Sequence, residues 1–91
     1  MTKNEIAISS LAMDLKRVAL GYYKGSDRTA SRFAQEVLKR KEEINDVKPY
    51  IKRILNKLPQ TLTQKDKMKL AEYALMYSTL LQNYVLTSLK S

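Results

Sequence analysis

Residues 73–89 read YALMYSTLLQNYVLTSL, seventeen consecutive positions without a charge in a 91-residue chain of which 29% is charged. Leu70, Tyr73, Tyr77, Leu80 and Tyr84 recur at steps of three and four, which predicts a helix with those side chains on one face. Leu75, Leu81, Val85, Leu86 and Leu89 then take flanking and opposite positions. A helix apolar around so much of its circumference is a central core element, a self-association surface, or a docking site for an apolar partner. Spanning a membrane is not expected, because the run falls short of the roughly 20 apolar residues a bilayer requires. Ser78, Thr79, Gln82, Asn83, Thr87 and Ser88 would also be stripped of water there.

Just upstream, Thr63-Gln64-Lys65-Asp66 is a variant of the capping box, in which side-chain oxygens satisfy the free amides of a first helical turn. The helix therefore runs from about residue 64 to 90, roughly 40 Å at about 1.5 Å per residue. Three shorter helices precede it. Thr2-Lys3-Asn4-Glu5 is a full capping box and opens a helix over about 3–24. Its inner face carries Ile8, Leu11, Leu15, Val18 and Tyr22, widened by Ile6, Met13 and Leu20. Gly25 suits the left-handed residue that closes it.

Ser26 or Asp27 caps a second helix to about residue 43, with Ala30, Phe33, Ala34, Val37 and Leu38 inward. Arg32, Glu36 and Arg40 alternate in sign on its outer face, and Lys39-Arg40-Lys41 complements the negative end of its dipole. Asn45 or Asp46 caps a third helix over about 47–58, with Pro49 in its first turn and Pro59 as its stop. Val47, Ile51, Ile54, Leu55 and Leu58 face inward. The connections are short, so the expected fold is all-α, a small four-helix bundle with a long, mostly apolar C-terminal helix, in one domain.

Composition narrows the chemistry. The absence of Cys and His excludes disulfides, thiolate nucleophiles, zinc–thiolate sites and the commonest general base and metal ligand. Ser9 and Ser10 lack a His partner, the carboxylates are mixed among basic residues, and no Gly-rich phosphate loop occurs. An enzyme, a cofactor or a metal is therefore not expected. Glu5 and Asp14 break any apolar core a secretory signal would need, so a cytoplasmic protein is expected.

Seventeen Lys and Arg against nine Asp and Glu leave a net charge of +8. Between Lys39 and Lys69 there are ten basic residues and four acidic, so most of the excess sits in one third of the chain. Lys48, Lys52, Arg53, Lys57, Lys65 and Lys69 are the candidate binding residues, facing an acidic protein surface or the phosphates of a nucleic acid. No homeodomain, zinc-finger, RNA-recognition or KH signature accompanies them, so phosphate contacts would be weakly sequence-selective. Docking of the apolar helix on a membrane surface, with lysines on anionic headgroups, is a weaker expectation, because the two clusters lie on different segments.

The six tyrosines either pack in the core and at its boundary or line an aromatic groove. Leu81, Tyr84, Val85, Leu86 and Leu89 form the candidate self-association surface, since the helix beyond Leu80 is expected to outrun its neighbours. Gln82 and Asn83 could fix the register of such a helix pair. The functional expectation is a helical interaction module that forms a homodimer and shows a basic face to an acidic partner. The alternative is a small nucleic-acid-binding protein.

Overall fold

The described residues form four helices: α1 (Lys3–Tyr23), α2 (Asp27–Lys41), α3 (Pro49–Leu62) and α4 (Lys67–Lys90). The computed structural model describes the backbone of residues 1–90 and the side chains of residues 1–89. α1 opens on the predicted reciprocal cap, with Glu5 N–H donating to Thr2 Oγ1 at 3.1 Å and Thr2 N–H to Glu5 Oε1 at 2.7 Å. Gly25, at φ +77°, turns the chain out of α1, and Ser26 N–H donates to Gly21 O at 2.7 Å. The 42–48 loop carries Asp46 at φ +55°, a left-handed conformation that Asp tolerates better than most residues. Asn4 pins this loop to α1, its amide donating to Asn45 O and its Oδ1 accepting from Asn45 N.

Four boundaries differ from the sequence expectation by two residues or more: α2 ends at Lys41, α3 begins at Pro49 with Lys48 rather than Asn45 or Asp46 at its cap, and the two helix ends around the α3–α4 loop move furthest. Pro59 does not stop α3, which runs on to Leu62. The ring removes one backbone bond from the last turn, but Thr61 and Leu62 are buried there and hold that turn on the core. Thr63 then closes α3, its hydroxyl donating to the carbonyls of Pro59 and Gln60 at 2.9 and 3.2 Å. The start of α4 is correspondingly later. Asp66 caps it, accepting from the amides of Met68 and Lys69, both at 3.1 Å.

Successive helices run antiparallel, one of the two arrangements, with steep crossing, that short connections allow, and α1 and α4 are antiparallel as well. Asp14 meets Arg40 and Gly21 meets Ala30 along α1 and α2. Ala12 meets Ser78, and Tyr22 meets Lys67, along α1 and α4. Tyr50 meets Tyr84 along α3 and α4. The bundle measures 39 × 20 × 17 Å, and its long axis is set by the 24 residues of α4, about 36 Å at 1.5 Å each.

α1 lies at the centre of the packing, pressed along both α2 and α4, while α3 sits more loosely. Ile8, Leu11, Leu15 and Val18 are buried as predicted. Ile6, Met13 and Leu20 are not; they are exposed, because a step of two from Ile6 to Ile8 turns roughly 200° around a helix. The inner face of α4 is also shifted from the predicted stripe. Leu70, Ala71, Ala74, Tyr77, Ser78, Leu81 and Val85 are buried, whereas Tyr73 and Leu80 face outward. Small residues take the α1 side because the two backbones come close. Ser78 Oγ donates to Ala12 O at 2.6 Å, a buried bond between the helices.

Candidate functional site

Two surfaces of the bundle stand out, one apolar and one basic, on either side of α4. Ile6, Met13 and Leu20 repeat every seven residues on the outer side of α1. Met68, Leu75, Gln82 and Leu89 do the same on α4, with Leu86 beside them. The two rows adjoin: Met13, Leu20 and Gln82 line one shallow depression with Lys16 and Arg17 at its edge. Each apolar member of the rows is between 36% and 56% exposed.

Only part of the predicted self-association surface lies on this face. Leu86 and Leu89 belong to it, but Leu81 (0% exposed) and Val85 (3%) are core, and Tyr84 is half-buried against Tyr50. The far half of α4 does not outrun its neighbours. α1 is 21 residues long and antiparallel to it, so the N-terminal turns of α1 reach the last turns of α4. The exposed row on α1 was missed because Ile6, Met13 and Leu20 resemble an extension of the core stripe; their seven-residue spacing was the signal that could have separated them.

The basic surface follows the seam between α3 and α4. Tyr50, Arg53, Lys57 and Gln60 share one flank of α3 at steps of three and four. Lys69, Tyr73, Leu80 and Asn83, at steps of four, seven and three, share the adjoining side of α4. At one end of the seam Lys57, Gln60 and Gln64 surround Tyr73; at the other, Lys48 and Asn83 surround Tyr50. Lys65 lies in the connecting loop and Lys69 in the first turn of α4, both exposed. Lys52 is separate: it faces the opposite flank of α3, beside Lys41, Glu42 and Asn45.

Tyr50 and Tyr73 are each 42% exposed, and each is backed by a second tyrosine. Tyr50 sets its ring against Tyr84 edge-on, with centroids 5.8 Å apart and planes at 78°; Tyr73 stacks on Tyr77 at 6.4 Å and 23°. Burial pushes the Tyr50 hydroxyl above the usual phenol range, with a smaller contribution from Tyr84. No acidic residue occurs between Asp46 and Asp66. Among the described residues none of the six predicted basic residues forms an ion pair, so their charge is not neutralised within the chain.

A third feature belongs to the fold rather than to a binding surface. Asp14 is buried, 4% exposed, and its two oxygens take Arg17 Nη1 at 3.0 Å and Arg40 Nε at 2.8 Å. Arg40 therefore does not stand on a free outer face of α2 as its alternating charge pattern suggested. Arg17 also lies over the Phe33 ring at 5.4 Å, closing the α1–α2 contact.

Among the described residues no helix is long and apolar enough to cross a membrane. Comparison with protein-family models, curated proteins and solved structures found no match to this chain. The reading of function therefore rests on the two surfaces.

Proposed function

We propose that the protein is a non-enzymatic helical interaction module of the cytoplasm that pairs with a second copy of itself and holds a basic face toward an acidic partner. The observation that carries the pairing is the double row of exposed apolar residues on α1 and α4. Counting about half of each side chain, the seven residues expose roughly 500–600 Å² of apolar surface, the upper end for the largest patch on a monomer. With its polar rim the face approaches the roughly 800 Å² per partner of a standard interface.

A second copy suits this face better than an unrelated protein. Seven-residue spacing on two adjacent helices matches the knobs-into-holes repeat of helix pairing. Gln82, the polar member of the α4 row, carries both a donor and an acceptor, so two copies related by a twofold axis satisfy each other.

Light scattering over an about hundredfold range of concentration tests the pairing. The expected result is a dimer that Leu75→Lys with Leu86→Lys converts to a monomer of unchanged helicity. Leu81→Lys, by contrast, unfolds the chain. A wild-type protein that stays monomeric throughout the range overturns the pairing.

The alternative reading, a small nucleic-acid-binding protein that contacts phosphates without strong sequence selectivity, concerns the other face. The tyrosines set among its lysines support that reading of the basic surface.

A further inference from the structure

We infer that the seam between α3 and α4 binds single-stranded nucleic acid, stacking unpaired bases on Tyr50 and Tyr73 while Lys48, Arg53, Lys57 and Lys69 take the phosphates. The inference rests on the reading of the basic face as an anion-binding surface and names the partner that face fits. Positive charge alone does not choose among polyanions, so the choice is made by what lies between the charges.

The tyrosines favour bases. Each exposed ring is supported by a second tyrosine, which fixes its plane and leaves half of it open to solvent. A ring held in this way loses little freedom on stacking, and aromatic platforms between cations are how sequence-tolerant single-strand binders work. An acidic peptide would be served by the lysines alone. The amides of Gln60, Gln64 and Asn83 add donors and acceptors of the kind that read base edges, again at the two tyrosine positions.

The geometry disfavours a duplex. Bases paired inside a double helix offer no face to a tyrosine, and a seam between two antiparallel helices projects no element into a groove. The two platforms are separated by the stretch from Tyr50 to Thr61 on α3. That is about 16 Å, the length of roughly five stacked nucleotides at 3.4 Å each. Four neutralised phosphates on a single strand give a slope of about −0.7 each in log affinity against log salt. Raising salt from about 50 to about 200 mM then weakens binding about fifty-fold.

The experiment is fluorescence anisotropy with a labelled mixed-sequence oligonucleotide about 15 nucleotides long, its duplex, and polyglutamate, at both salt concentrations. The expected result is tighter binding of the single strand than of the duplex, with the salt dependence above. Tyr50→Leu and Tyr73→Leu, which keep the apolar part of each ring's packing, should each weaken single-strand binding about ten-fold or more. Circular dichroism separates that loss from unfolding. Lys57→Gln with Lys69→Gln, both at exposed positions, should lower affinity and flatten the salt slope by about 1.4.

Equal affinity for duplex and single strand, indifferent to the tyrosines, overturns the inference and leaves the basic face as a phosphate-binding surface. Polyglutamate binding as tightly as the single strand overturns it in favour of an acidic protein partner. Absence of binding to all three probes at the lower salt overturns both this inference and the basic-face reading beneath it.

Discussion

At Gly21 a single added methyl group decides the spacing of two helices. A Cβ there would stand 2.9 Å from Ala30 Cβ and 3.1 Å from both Ala30 Cα and N, so the obstacle is backbone that cannot swing aside. Alanine is the better helix former by roughly 1 kcal/mol, but overpacking a close contact costs roughly 1–3 kcal/mol. Gly21→Ala should therefore destabilise the protein by about 1 kcal/mol, read as a lower urea midpoint; a raised midpoint would mean that α2 moves away freely. Asp14 makes a similar point about distance in sequence. Arg17 lies three residues on, at the spacing of helical neighbours, but Arg40 lies 26 residues away, and only the fold brings it within 2.8 Å. Removing either arginine leaves a buried carboxylate short of a partner, which is a costlier state than the intact pair or none at all.

The helix caps carry a pH dependence whose sign follows from one carboxylate. Hydrogen bonds from the Thr2 amide, then the Thr2 hydroxyl, hold the Glu5 carboxyl below the usual carboxylate range. A lowered folded pKa means the charged form favours the folded state. The cap's contribution is thus complete at neutral pH and is lost in acid, as pH falls through the lowered folded value. Glu5→Ala should be less stable than wild type at neutral pH, and the gap should close in acid denaturation series; a gap independent of pH would remove the charge from the account. Helix starts were legible where a side chain bonds an amide, as at Thr2. They were less so where two polar residues competed, as at Thr63 and Asp66: Thr63 closes one helix and Asp66 opens the next. The phase of α4 was misread for a different reason. Tyr73 and Leu80 outweigh Ala71, Ala74 and Ser78 in any hydrophobic pattern, yet a close crossing selects the small residues.

The four-helix architecture was readable from periodicity, while the short connections left antiparallel packing and steep crossing angles both open. The partition of the surface was not readable, because whether an apolar residue is core or exposed depends on which neighbours reach it. Leu81 and Val85 read as surface on the expectation that α4 outruns its neighbours, whereas α1 reaches far enough to bury both. The pairing across α1 and α4 has a thermodynamic signature: a partner that binds the folded chain alone adds stability that grows with concentration. The thermal midpoint should rise by several degrees over an about hundredfold range of protein concentration, at about 4–8 °C per kcal/mol for a domain of this size. Leu75→Lys with Leu86→Lys should abolish the rise, and a flat midpoint in the wild type would argue for a monomer.

The central position of α1 has a consequence for biosynthesis. The helix that covers Ile8, Ala12 and Ala19 begins at Lys67, 44 residues after α1 ends at Tyr23. At roughly 5–20 residues per second a ribosome needs about 2–9 s to deliver that distance. During that interval α1 and α2 can pair, through Gly21 against Ala30 and Asp14 with Arg40, but one greasy flank of α1 has no cover. The nascent chain thus spends seconds as a half-sealed hairpin, and α4, which emerges after the other three helices, closes it.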